Sequence, residues 1–152
     1  RLYANYLEKY QEQQYAGAPT LEYAGIATIA GGNTQGRPEW SGTLNVSYDL
    51  GNFGLTLTEQ YVGKMEVGIP GSPSNFIDGD VDPEWYTDIT GRYRMMVGNQ
   101  GGEMELFGTV NNLFDNEPPI VPGTTPGATY PTMIGVYDYI GRAFTVGMRY
   151  TF

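Results

Sequence analysis

The stretch Tyr139-Ile-Gly-Arg-Ala-Phe-Thr-Val-Gly-Met-Arg-Tyr-Thr-Phe152 constrains the fold more than any other part of the chain. Every second position from Ile140 gives Ile140, Arg142, Phe144, Val146, Met148, Tyr150 and Phe152. The positions between are Gly141, Ala143, Thr145, Gly147, Arg149 and Thr151. Successive side chains of a strand point to opposite faces, so one face is large and apolar and the other small or polar. That pattern suits a strand with lipid on one side and an aqueous or packed lumen on the other. A soluble sandwich also alternates, but less often ends a sequence on a long strand with an aromatic as the last residue.

Composition removes several function classes. No cysteine or histidine is present, so disulfides, thiolate nucleophiles, zinc-thiolate sites, imidazole ligation and Ser-His-Asp chemistry are all excluded. A formal charge of −9 leaves no basic stripe for phosphates, and nucleic acid is not an expected partner. No apolar run approaches the length of a membrane helix. A transmembrane barrel stays open, because its strands never show such a run. The 13 tyrosines fit that class, since tyrosine favours strands and membrane interfaces.

The same alternation recurs along the chain. Over 37–50, Trp40, Leu44, Val46, Tyr48 and Leu50 share one face, and Glu39, Ser41, Thr43, Asn45, Ser47 and Asp49 the other. Gly51-Asn52-Phe53-Gly54 reads as a hairpin turn. The strand about 54–64 sets Leu55, Leu57 and Tyr61 against Thr56, Thr58, Gln60 and Lys64, with Glu59 interrupting the apolar face. Residues 84–97 set Trp85, Ile89, Tyr93 and Met95 against Tyr86, Asp88, Thr90, Arg92 and Arg94. After a turn at 98–102, residues 103–114 set Met104, Leu106 and Val110 against Glu103, Glu105, Thr109 and Asn111, with Phe107 an exception. Residues 1–13 carry a weaker strand pattern. Residues 14–36, 65–82 and 115–138 read as long loops rich in Gly, Pro, Ser or Asp.

Connections thus run long, short, long, short, long, as in outer-membrane barrels with short periplasmic turns and long outer loops. The expected fold is all-β, an antiparallel up-and-down transmembrane barrel segment of about six strands. Six strands are fewer than the eight of the smallest closed membrane barrels, and open edges do not sit in lipid. The chain is therefore expected to be part of a larger or assembled barrel.

Val110-Asn-Asn-Leu-Phe-Asp115, a Pro-rich loop and then Tyr137-Asp-Tyr-Ile-Gly-Arg-Ala-Phe-Thr-Val-Gly-Met-Arg-Tyr-Thr-Phe152 resemble the C-terminal end of a TonB-dependent outer-membrane receptor. Arg37-Pro-Glu-Trp40, Gln60-Tyr-Val-Gly63 and Tyr86-Thr-Asp-Ile-Thr-Gly-Arg-Tyr93 resemble the family's preceding strands. The resemblance covers roughly 37–152 by motif and 1–36 by position. It implies a twenty-two-stranded barrel, plugged by an N-terminal domain, that imports a scarce nutrient of the siderophore, cobalamin or oligosaccharide class. The implied partners are outer-membrane lipid, the rest of the barrel and its plug, TonB through the plug-bearing part, and the barrel assembly machinery. Met148, Tyr150 and Phe152 resemble the terminal signal which that machinery reads.

Among site candidates, Asp88, Arg92 and Arg94 lie on the expected lumen face, either as contacts to an anionic ligand or plug or as a lumen charge ladder. Asp78-Gly-Asp80-Val-Asp82 spaces carboxylates like a calcium loop, but the sixth and twelfth positions are Pro83 and Ile89, where an EF-hand needs Gly and Glu. Arg142 is expected on the apolar face near the outer end of its strand, snorkelling to headgroups. Trp40, Trp85 and Tyr130 are candidate ligand platforms, with the aromatic girdle the favoured place for the two tryptophans. Asn45-Val46-Ser47 matches a glycosylation pattern but falls mid-strand. Paired carboxylates alone support no catalysis. No catalytic residue, metal site or cofactor is expected. The competing readings are a secreted soluble β-sandwich that binds carbohydrate, a carboxylate hydrolase on a β scaffold, and a small pore closed by oligomerisation.

Overall fold

The computed structural model describes residues 1–13, 15–27, 36–68, 79–98, 101–121 and 132–152. Among them the chain forms strands β1 (Leu2–Tyr6), β2 (Gln11–Glu12), β3 (Leu21–Glu22), β4 (Ile26–Ala27), β5 (Trp40–Leu50), β6 (Phe53–Val62), β7 (Met65–Val67), β8 (Asp80–Val81), β9 (Glu84–Val97), β10 (Gly102–Asn111) and β11 (Ala143–Thr151). No helix occurs among the described residues. The protein is all-β.

Six strands make one sheet in the order β1-β5-β6-β9-β10-β11, every pair antiparallel. Each strand lies beside the next long strand in sequence, which makes an up-and-down meander. Leu50 pairs with Phe53, so the first hairpin has a two-residue turn, Gly51-Asn52. Gly51 takes φ +58, a conformation glycine adopts without the Cβ penalty. The described parts of the long connections lie at the opposite end of the sheet. Among the described residues β1 and β11 have one neighbour each, so the sheet is open at both edges.

The pairing register stacks the expected faces without a slip. Val46, Leu57, Ile89, Val110 and Phe144 form one cross-strand row on the apolar face. Glu59 stands opposite Thr87, whose hydroxyl donates to both carboxylate oxygens at 2.9 and 3.0 Å. That cross-strand hydrogen bond is what satisfies the one acid interrupting the apolar face. Phe107, the aromatic on the polar face, lies over Gly147, its direct neighbour on β11. A Cβ at Gly147 would collide with the ring. An aromatic here covers backbone that glycine leaves bare.

Three expectations are corrected. Residues 65–82 are not wholly loop: β7 and β8 pair with each other and β7 runs parallel to β4, forming a small second sheet. Met65, Val67 and Val81 are buried there, and that burial stabilises strands too short for their pattern to be distinctive in sequence. Within 14–36, β3 pairs with β2. The last strand begins at Ala143, because Gly141 at φ +79 breaks extended geometry. Arg142 thus precedes the strand, its amide donating to Asp115 Oδ1 at 2.9 Å. Strand parity does not set its direction.

The buried core comprises Ala27, Val62, Met65, Val67, Val81, Tyr86, Val121, Met133 and Tyr137. It sits at the long-connection end, where the small sheet and the segment 132–138 cover Val62 and Tyr86 on the polar face. Among the described residues the apolar face has no such cover. Leu44, Val46, Tyr48, Phe144, Val146 and Met148 are all exposed, Val146 at 85%.

Candidate functional site: the polar face of the sheet

Strand parity brings three zones of side chains together on the polar face. The middle is a row of hydroxyls, Ser47, Thr56, Thr90, Thr109 and Thr145, one from each of five adjacent strands. Ser47 and Thr56 share a hydrogen bond at 3.1 Å, and Thr90 and Thr109 one at 2.9 Å. Thr58 donates to Asn45 Oδ1 at 2.8 Å. Asn45 is therefore fixed within β5.

Toward the short turns the face is charged and balanced. Arg92 pairs with Asp49 at 2.5 Å, and Arg94 with Glu105 at 2.7 Å and Glu103 at 3.9 Å. Arg149 stands opposite Glu105 in register. Three guanidiniums meet three carboxylates, so the zone has no net charge to offer an ion.

Toward the long connections the face is polar and neutral to acidic, with Gln60, Asp88 and Asn111 exposed or half-buried. A knot of hydrogen bonds centres on buried Asn112, which takes φ +48. Its backbone N–H donates to Asp88 Oδ1 at 2.9 Å. Its side-chain amide donates to the Asn116 carbonyl at 3.0 Å and Asp138 Oδ2 at 3.1 Å, and accepts from the Asn116 N–H at 2.9 Å. Asn116 Nδ2 donates to the Trp85 carbonyl at 2.6 Å, and the Ile140 N–H to Asp138 Oδ1 at 3.0 Å. The knot ties the ends of β9 and β10 to the approach to β11. Segment 134–138 is thereby held as a strap over the polar face, with a cleft of about 450 Å³ on its β11 side and one of about 560 Å³ on its β1 side. Gln60, Gly135 and Val136 border both. Burial, with the Tyr86 and Glu84 side chains nearby, pushes the Tyr137 hydroxyl above its ordinary range.

The expected lumen residues Asp88, Arg92 and Arg94 all lie on this face but not in one site. Asp88 borders the cleft under the strap, whereas both arginines belong to the balanced charged zone. Asp78 and Tyr130 lie outside the described residues. Asp80 pairs with Lys64 at 2.8 Å, which raises the Lys64 ammonium above its ordinary value. No group of three potential metal ligands is gathered among the described residues. Met148 and Tyr150 are exposed on the apolar face, and the Phe152 ring sits 6.2 Å from that of Tyr150.

The apolar face carries a pattern that the sequence reading missed. Four strands each hold two outward aromatics eight residues apart: Trp40 and Tyr48 on β5, Phe53 and Tyr61 on β6, Trp85 and Tyr93 on β9, Phe144 and Phe152 on or just after β11. Tyr61 pairs with Trp85 and Phe53 with Tyr93, so the spacing is in register across β6 and β9. Trp40 stacks on Tyr6 with ring centroids 4.6 Å apart, and Trp85 on Tyr61 at 4.5 Å. Between the aromatics lie mainly aliphatic residues such as Val46, Leu57, Ile89 and Val146. The spacing can be counted in the sequence once the strands are aligned; what was missing was the register that aligns them.

Comparisons with protein-family models, with curated proteins and with solved structures give no match.

Proposed function

We propose that this chain is a segment of a transmembrane β-barrel of the outer membrane, from a receptor of the TonB-dependent kind that takes up a scarce nutrient. The observation that carries the reading is the double aromatic band on the uncovered apolar face. Eight residues at about 3.4 Å each separate the bands by about 27 Å along a strand. At a tilt of ~40° this is about 21 Å across the membrane, near the ~25 Å apolar belt of such barrels with aromatic girdles at both interfaces. Further support comes from the polar, internally hydrogen-bonded opposite face and from long connections gathered at one end.

The open edges at β1 and β11 fit a sheet that continues into further barrel strands, since unpaired backbone is not tolerated in lipid. The remaining strands, a plug, TonB acting through that plug, and the assembly machinery docking on the Met148, Tyr150 and Phe152 side of β11 are the partners this reading requires. A soluble sandwich needs a second sheet against its apolar face. Among the described residues the only covering layer lies on the polar face, which weighs against that alternative.

The chain holds two tryptophans, both in the outer band. Reconstituted together with the remaining barrel strands in vesicles containing brominated lipids, Trp40 and Trp85 are expected to be quenched, most by bromines close to the headgroups. A monodisperse protein in detergent-free buffer with unquenched tryptophans would overturn the membrane reading.

A further inference from the structure

We propose that the cleft between strap 134–138 and the β11 side of the polar face binds a neutral, hydroxyl-rich ligand, such as a short oligosaccharide. The inference deepens the receptor reading and rests on it in one respect, that this face meets water. A volume of about 450 Å³ falls within the range of small-molecule sites. The strap roofs the cleft and the knot at Asn112 fixes the strap, so the cleft is preformed, which lowers the ordering cost of binding.

The chemistry of the lining selects the ligand. Gln60 and Asn111 each present a donor and an acceptor, while Asp88 and Asp138 present acceptors. A sugar hydroxyl also donates and accepts, and neighbouring hydroxyls match planar amides and carboxylates that offer two sites side by side. Tyr86 and Tyr137 line the same cleft. They are 4% and 3% exposed; the Tyr137 hydroxyl has no hydrogen-bond partner, while the Tyr86 hydroxyl lies beside the Asp138 backbone. Buried polar groups are normally satisfied, so the orphan Tyr137 hydroxyl beside the cleft points to a missing partner of hydrogen-bonding character.

Charge excludes the alternative classes. No Lys or Arg borders the cleft among the described residues, and two carboxylates do. An anionic chelate would face repulsion without a countercharge. A cation finds only two carboxylates, and no group of three potential metal ligands is gathered among the described residues. Arg92 and Arg94 are committed to Asp49, Glu103 and Glu105 in the other zone, and Arg149 stands opposite Glu105 there.

The test is calorimetric titration of the chain assembled with its remaining barrel strands in lipid vesicles, with maltotriose as the neutral probe and citrate as the anionic one. Maltotriose is expected to bind saturably and citrate not at all. Gln60→Trp fills the cleft from an exposed position and is expected to weaken maltotriose binding at least about tenfold. Asn111→Leu removes a hydrogen-bonding pair of atoms without filling space and is expected to act in the same direction, which keeps the test valid if the first variant misfolds. Absent maltotriose binding, binding indifferent to both variants, or citrate binding equally well would each overturn the proposal. Tryptophan quenching on the same vesicles separates the two readings: quenched tryptophans with no sugar binding sink the ligand site alone, and sugar binding with unquenched tryptophans sinks the membrane reading alone.

Discussion

Arg92 on β9 reaches Asp49 on β5 across the full width of β6, and it does so over Gly54. In register, Gly54 pairs with Asp49 on one side and with Arg92 on the other. A Cβ there would collide with Arg92 Nε and stand 2.6 Å from Asp49 Oδ1. Glycine at 54 thus makes room for an ion pair between strands that are not neighbours. Gly54→Ala is expected to displace the pair. Both partners are partly exposed, so losing it costs under about 1 kcal/mol. In an Arg92→Ala background the Gly54→Ala penalty should shrink toward zero. Equal penalties in the two backgrounds, measured by urea unfolding in vesicles, would show that Gly54 is needed for backbone reasons instead.

The two faces of β11 predict opposite responses to charge. Val146 is on the uncovered apolar face, while Thr145 stands opposite Thr109 in the hydroxyl row. In a bilayer, Val146→Arg is expected to cost about 2–4 kcal/mol if it lies near the midplane. Thr145→Arg should cost much less, since Arg149 shares its face. Similar penalties at both positions would mean the strand is one residue out of register, because a slip exchanges every side chain between faces.

Phe107 and Gly147 form a size-matched pair across β10 and β11. Gly147→Val is expected to destabilise by roughly 1–3 kcal/mol through overpacking against the ring. Phe107→Ala should rescue it in part. A double-mutant cycle with no coupling would remove this account of Phe107.

Most of the meander was legible in the sequence because its signal is local. Alternation over ten or more residues assigns both strand and face, as at 84–97, where the strand bounds and facing sets are as read. Glu59 and Phe107 looked anomalous only because their explanations, Thr87 and Gly147, lie on other strands. Strands β7 and β8 were missed since two or three residues carry almost no period, and it is tertiary burial of Met65, Val67 and Val81 that stabilises them. The candidate site was half legible. Parity put Asp88 on the polar face, but the strap that roofs it comes from a Pro-rich connection with no periodic signal. The knot at Asn112 was visible as a motif without its reason.

That reason yields a prediction. Asn112 combines a left-handed backbone with three side-chain hydrogen bonds, two donated and one accepted. Asn112→Gly keeps the backbone and loses the bonds, whereas Asn112→Ala loses both. Each buried group left unsatisfied costs about 1–3 kcal/mol, and alanine adds the strain of positive φ. Both variants should speed hydrogen exchange at 134–140 before the sheet itself exchanges, alanine more than glycine. Unchanged protection in the strap would mean that something other than the knot holds it.

Tyr137 gives the strap a pH limit. Its hydroxyl is buried without a partner, and burial raises its pKa above the ordinary value. The folded state therefore holds this proton more tightly than the unfolded state does. The associated stability is fully present below the unfolded pKa of about 10 and is lost as pH rises through the folded value. The strap is expected to open on the alkaline side of pH ~10, seen as a step in tyrosinate absorbance coupled to faster hydrogen exchange at 134–140. Tyr137→Phe removes both the titration and the unsatisfied oxygen, so it should abolish the coupled step and leave stability at neutral pH equal or slightly higher. If Tyr137→Phe instead lowers neutral stability by more than about 1 kcal/mol, the hydroxyl has a partner in the membrane-inserted protein and is not an orphan.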